Sequence, residues 1–236
     1  DISETDIILL PEMFNTAFCP KSTHLAEKME GRTVNWMKEI SKNKNCAIAG
    51  SLMVKEKEKV YNRLVWISRK GEIYTYDKHH LFGYGNEHKY FKSGKDRVII
   101  DYKGWRILPQ ICYDLRFPHL YRDLAYSGAQ IISVPSAFSV TTGQAHWEAL
   151  LRARAIETGC YVLAPAQHGE HCCRNGRPRT TYGHTMAVAP WGQTIALLAE
   201  GTGFCMVDIN LDDVDSARAR VPSLFNQQRY LGPENE

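Results

Sequence analysis

The amino-acid sequence predicts an α/β fold in which helices cover β-sheets. Two observations carry that expectation: short apolar runs recur along the whole chain, and amphipathic segments with helical spacing fall between them. A third is that many of the runs are apolar on both faces, as strands covered from both sides must be. The first run, 6–10 (DIILL), stops at Pro11, and 33–43 (TVNWMKEISKN) then reads as a helix. Strands follow at 46–54, 60–68 and 72–76, the last two separated by the turn RKG at 69–71. The run 105–112 (WRILPQIC) is the next strand, and 118–128 (PHLYRDLAYSG) the next helix, with Gly128 where a C-cap falls. After a strand at 129–136, the segment 146–159 places Trp147, Leu150, Leu151 and Ala155 on one helical face and ends at Gly159. Strands at 160–166, 184–190, 193–199 and 204–209 complete the series, with PWG as the turn of a hairpin. A final helix begins after Asn210, an N-cap residue, with Asp213 three positions on as an acidic capping-box partner. Repeats, low-complexity tracts and linkers are absent from the sequence, so a single domain is expected over residues 1–236.

Composition narrows the function. A net charge of +3 on 236 residues is small, and the basic residues are scattered among acids, which gives no support for a nucleic-acid or membrane partner. A small-molecule partner is expected instead. Seven cysteines without repeated spacing argue against a disulfide framework and suit the cytoplasm. No apolar run approaches the length of a membrane span.

Cys112 ends an apolar run and is followed at once by Tyr113, Asp114 and Arg116. A lone cysteine after a strand is commonly an inert core residue. Here a sharp turn at the carboxyl edge of a sheet would expose it where ligands bind in α/β folds, and charged Asp114 and Arg116 would line a polar cleft. A thiol in that position needs a base to react at neutral pH. Glu12 lies just beyond the first strand and Lys78 just beyond the strand 72–76. Either alone reads as a solvated loop charge. Together, three strand ends deliver a base, a cation and a nucleophile, the parts of an acyl-transfer site.

The motifs LPEMF, YDKHHLF and CYDLRFP, in this order, resemble the Glu-Lys-Cys motifs of the nitrilase (carbon–nitrogen hydrolase) superfamily, and the resemblance covers essentially the whole chain. It implies a four-layer α-β-β-α sandwich, usually paired into a homodimer. It implies Glu12 as general base, Lys78 as oxyanion-stabilising cation, Cys112 as nucleophile, and Glu87 in GNEHKYF as a second glutamate orienting substrate and lysine. The backbone N–H of Tyr113 would share the oxyanion. No metal or other cofactor is required. Residues 1 to about 117 resemble ω-amidases, whereas the part from RFPHLYRDLA onward resembles the deaminated-glutathione amidase branch. The substrate implied is the primary amide of a small carboxylate-bearing α-keto acid, with deaminated glutathione or a nitrile as the alternative within the superfamily and a non-catalytic interaction module as the alternative outside it. The strand and helix that normally precede the segment matching DIILLPEMF are not found, so either the sequence is a fragment or the first sheet lacks a strand.

Further residues carry two readings each. Arg116 either binds a substrate carboxylate or pairs with Asp114 or Glu87. His146 and Trp147 either line the pocket or pack between layers. His79 and His80 flank Lys78 and are expected to support it by hydrogen bonding. His168, His171, Cys172 and Cys173 in HGEHCCR are metal-ligand types, but adjacent cysteines do not match a C-x₂₋₄-C arrangement, and a loop at the pocket mouth is expected there. Phe117, Leu120 and Tyr121 are candidates for the dimer contact.

Overall fold

The computed structural model describes residues 4–171 and 178–226. Two sheets dominate it. The first has the order β1-β2-β3-β4, from β1 (Ile7–Leu9), β2 (Ala47–Glu56), β3 (Lys59–Ile67) and β4 (Ile73–Asp77). β1 runs parallel to β2, and β2, β3 and β4 are antiparallel in turn, so β1 and β4 end at the same edge. The second sheet contains β5 (Ile100–Tyr102), β6 (Trp105–Pro109), β7 (Ile131–Ser133), β8 (Tyr161–Ala164), β11 (Thr185–Val188) and β12 (Thr194–Leu198) in the order β12-β11-β8-β7-β6-β5. β6, β7 and β8 are parallel, which sends their carboxyl ends to one edge. A separate hairpin joins β9 (His168–His171) to β10 (Arg179–Tyr182).

The period-two alternation of β2 and β3 builds the layers. Ile48, Leu52, Val54, Val65 and Ile67 face Val34 and Met37 of α1 (Arg32–Lys44). Ala47, Ala49, Leu64 and Trp66 turn to the opposite face and share one core with Ile107, Ile131 and Tyr161 of the second sheet. That core continues into Leu120 and Tyr121 of α2 (Pro118–Tyr126) and Trp147, Leu151 and Ala155 of α3 (Val140–Thr158). The result is the expected α-β-β-α sandwich, with α1 outside one sheet and α2 and α3 outside the other. Among the described residues β1 pairs with β2 alone, so it forms the edge of its sheet.

Several expectations change. Among the described residues the run 204–209 pairs with no strand, and Phe204 and Met206 are exposed: an apolar run makes a strand possible, but a ladder needs a neighbour. α3 starts six residues before the expected 146, capped by Ser139, because Val140, Thr141, Thr142 and Gly143 have poor helix propensity and hide the first turn. Gly143 is required there, since a Cβ would sit 2.3 Å from the Tyr182 ring. Asn210 caps α4 (Leu211–Arg220) as expected, through Asp212 N–H, but the Asp213 carboxylate leaves the cap to accept from Tyr161 Oη. His168–His171 is a strand and not a loop, while Cys172, Cys173 and Arg174 lie outside the described residues. Leu120 and Tyr121 are buried in the core and Phe117 stacks on His80, so these residues do not supply a free apolar face. Cys46, Cys112, Cys160 and Cys205 are free thiols, whereas Cys19 is disulfide-bonded, which the expectation of a reducing compartment did not anticipate. No described helix is long and apolar enough to cross a membrane.

Candidate active site

The shared carboxyl edge gathers the chemistry. Glu12 follows β1 by three residues, where Pro11 breaks the strand. The chain just beyond it is pinned by Met13 N–H donating to Ser51 Oγ at 3.0 Å and Met13 C=O accepting from Gln167 Nε2 at 3.1 Å. Lys78 follows β4 directly, and its N–H extends the ladder to Asn62 C=O at 3.0 Å. Its carbonyl accepts from Gly94 N–H at 2.9 Å, and that approach is so close that a Cβ on Gly94 would lie 2.2 Å from the Asp77 carbonyl oxygen. Cys112 opens a short 3₁₀ turn, Cys112–Arg116, after β6.

Cys112 carries φ of +46°, which side chains other than glycine rarely adopt. The turn that imposes it is over-determined. Cys112 N–H donates to Pro135 C=O at 3.0 Å, and Asp114 Oδ2 accepts from Ile111 N–H at 3.2 Å and from Tyr76 Oη at 2.8 Å. Asp114 Oδ1 accepts from His80 N–H and lies 2.9 Å from His80 Nδ1. Strain held by such a network is a device for presenting a reactive side chain.

Glu12, Lys78 and Glu87 are completely or almost completely buried together. Lys78 Nζ donates to Glu12 Oε1 at 2.8 Å and to Glu87 Oε2 at 2.9 Å. Asn62 Nδ2 donates to Glu12 Oε1 at 2.8 Å and to Glu87 Oε1 at 3.0 Å. Phe82 N–H completes Glu87 by donating to Oε2 at 2.7 Å. One carboxylate oxygen is left: Glu12 Oε2 has no hydrogen-bond partner among the described residues.

Burial works to lower the Lys78 pKa, but the Glu12 and Glu87 charges outweigh it and raise the value, so the ammonium stays charged. Burial raises the Glu12 carboxyl, with Lys78 opposing and Glu87 adding to it. Burial also pushes the Cys112 thiol well above its ordinary range, Glu12 pushes it further, and Lys78 only partly offsets them. Cys112 therefore rests as a neutral thiol against a carboxylate, and becomes a nucleophile only as it gives up its proton.

Glu12, Lys78 and Cys112 floor a narrow cleft whose walls include Phe18, Phe82, Tyr113, Arg116, Phe138, Ser139 and Thr142. Arg116 stacks its guanidinium on Phe138, 5.4 Å from the ring centre, and lies 3.1 Å from His146 Nδ1. Among the described residues it pairs with neither Asp114 nor Glu87, which removes the ion-pair reading. A second, wider cleft of about 270 Å³ shares Phe18, Phe82, Ala137 and Ser139 with the first and adds Tyr84, His171, Arg179, Thr180 and Thr181.

The structure thus brings together Glu12, Lys78, Glu87, Cys112, Tyr113 and Arg116. It does not bring Trp147 to them. That side chain is buried against Phe138 and donates Nε1–H to His184 C=O at 2.7 Å, a core role. His146 is exposed and touches the cleft only through Arg116. Among the described residues no cluster of three metal-ligating side chains occurs. The sequence reading missed Asn62, although a polar residue inside the apolar run VYNRLVW was a visible signal, and it missed the three phenylalanines of the walls, which carry no local signal.

Residues 2–219 match the carbon–nitrogen hydrolase family model. The chain belongs to the carbon–nitrogen hydrolase family. As a carbon–nitrogen hydrolase it is an amidase, acting on C–N bonds other than peptide bonds. A deaminated glutathione amidase of Dictyostelium discoideum is 35% identical, over 96% of this chain and 84% of the relative. An omega-amidase of Yersinia enterocolitica is 33% identical, over 98% of this chain and 87% of the relative. Among solved structures, a carbon–nitrogen hydrolase superfamily protein of Xanthomonas campestris, crystallised with an arsenic adduct in its active site, superposes with a TM-score of 0.88 at 32% identity, over 98% of this chain and 87% of that one.

Proposed function

We propose that this carbon–nitrogen hydrolase cleaves the primary amide of a small, carboxylate-bearing α-keto acid, a 2-oxoglutaramate-like ω-amide, by acyl transfer to Cys112. The observation that carries the reading is a neutral buried thiol beside a carboxylate with one uncommitted oxygen, in a cleft that also holds a buried ammonium and Arg116. Glu12 Oε2 takes the thiol proton as sulfur attacks the amide carbonyl. The developing oxyanion is held by Lys78 Nζ and by the N–H of Tyr113, which precedes the first internal bond of its turn. As the C–N bond breaks, Glu12 returns the proton to the leaving nitrogen and ammonia departs. Water then gives a proton to Glu12 and attacks the thioester, and the released sulfur recovers that proton from Glu12. Glu87, whose two oxygens are both committed, orients Lys78 and takes no proton.

Arg116 supplies the fork for the substrate carboxylate. An α-ammonium would meet the guanidinium of Arg116, whose charge no described carboxylate offsets, so keto acids bind better than amino acids. The wider adjoining cleft with Arg179 favours a second reading, in which a bulkier amide such as deaminated glutathione extends beyond the scissile bond. The test is kcat/KM for 2-oxoglutaramate, deaminated glutathione, glutamine and an aliphatic nitrile in one preparation. The first is expected to lead and glutamine to trail; preference for glutamine or the nitrile overturns the keto-acid reading, and turnover of none supports a non-catalytic module. With this reading go one domain over 1–236, a homodimer and a cytoplasmic location, the last favoured by four free thiols among the described residues and opposed by the disulfide at Cys19. The dimer contact is sought among the exposed Trp191, Leu197 and Phe225 in place of Leu120 and Tyr121.

A further inference from the structure

We infer that Asn62 is a positioning residue that keeps Glu12 ionised and turns its free oxygen towards the thiol; the inference rests on the proposed roles of Glu12 and Cys112. Asn62 is fully buried on β3 and stands across the strand pair from Lys78. Its single NH₂ group makes two bonds, one to Glu12 Oε1 and one to Glu87 Oε1. The amide can serve two carboxylates only in this orientation, because the flipped form would put its oxygen against both. The cost is visible: Asn62 Oδ1 is buried without a partner among the described residues.

Two effects follow from this fork. Two carboxylates around one ammonium leave the cluster one negative charge in excess, and paired carboxylates in a dry site tend to share a proton. A donor inserted between them occupies the oxygens through which they would share it and so favours ionised Glu12. Secondly, Asn62 and Lys78 together saturate Glu12 Oε1 and leave Oε2 as the acceptor for the Cys112 proton. Without Asn62 the carboxyl could rotate, share a proton with Glu87, or both, and the base would be occupied at a pH where the native site is ready.

The test is the pH profile of kcat/KM in Asn62→Leu, similar in size but lacking the donor, and in the isosteric Asn62→Asp. The acid limb is expected to move up by about one pH unit or more in either variant, with activity recovering as the pH is raised. A uniform loss at every pH with the limb in place overturns the inference, because a scaffold role would lower activity without moving the limb. Failure of both variants to fold also overturns it, by assigning Asn62 to the scaffold. Wild-type enzyme incubated with a slowly hydrolysed amide separates this inference from the one beneath it. If no acyl adduct forms on Cys112, the nucleophile reading fails; if the adduct forms and the limb is unmoved, only the role of Asn62 fails.

Discussion

Glu12→Gln isolates the base from everything else Glu12 does. Glutamine keeps an oxygen in the position of Oε1, where it can still accept from Lys78 Nζ and Asn62 Nδ2, and replaces the uncommitted Oε2 with an amide nitrogen that cannot accept a proton. The change removes one buried negative charge and leaves Glu87 and Lys78 as a balanced pair, so the fold is not expected to suffer. Loss of a positioned general base costs about a hundred- to ten-thousandfold in rate, or about 2.7–5.5 kcal/mol of transition-state free energy. Glu12 is fully buried and hydrogen-bonded in place, so bulk solvent is a poor substitute for it, and the upper part of that range is expected. The assay is ammonia release across pH. In the wild type the acid limb should lie above the ordinary glutamate value of 4.5, because burial raises Glu12, and activity should fall as the pH drops through that raised value. Stability follows the opposite course: Glu12 favours the folded state most below 4.5 and loses this contribution as the pH rises through the folded-state value. A Glu12→Gln enzyme within tenfold of wild type, with the same acid limb, would refute the reasoning.

Arg116→Leu should lower kcat/KM for a carboxylate-bearing amide by about 1.5–3 kcal/mol, the range for a hydrogen bond to a charged group, and barely affect an uncharged amide; equal losses on both would remove Arg116 from substrate recognition. Trp147→Ala should cost about 3–5 kcal/mol of stability in denaturant unfolding, whereas Trp147→Phe should leave KM unchanged, and a selective KM effect in the Phe variant would return Trp147 to the pocket. Gly94→Ala should cost about 1–3 kcal/mol and lower kcat, since the new Cβ displaces the Asp77–Lys78 backbone; a fully active, equally stable variant would contradict that close approach.

The elements that were legible in the sequence are those with long apolar runs or a clear helical face. The apolar runs 46–54 and 60–68, bounded by turns, place strands β2 and β3, and in the structure the strand's two faces sort Ile48 from Ala47 into opposite cores. The strand ends were legible as well, because Pro11, Asp77 and the polar turn after Ile111 stop apolar runs abruptly, and each stop carries a site residue. The hairpin β9–β10 was hidden because HGEH and RTTY have no apolar face to show. The first turn of α3 was hidden by its β-branched residues, and with it the placement of Ser139 and Thr142 on the wall of the cleft. Trp147 illustrates the opposite error: a large side chain near a candidate pocket is ambiguous until its indole N–H finds its partner, here His184 C=O. The commitment of each carboxylate oxygen, which separates Glu12 from Glu87, is a property of three-dimensional hydrogen bonding and has no counterpart in residue spacing.

The central claim is that Cys112 forms the acyl bond. Intact-mass spectrometry of enzyme quenched during turnover of a slow amide, followed by peptide mapping, tests it directly. The account predicts one acyl adduct, located on Cys112, and a Cys112→Ala protein that folds but neither acquires the adduct nor releases ammonia. An adduct on Cys160 or another thiol, or a Cys112→Ala protein that turns over at the wild-type rate, would contradict it.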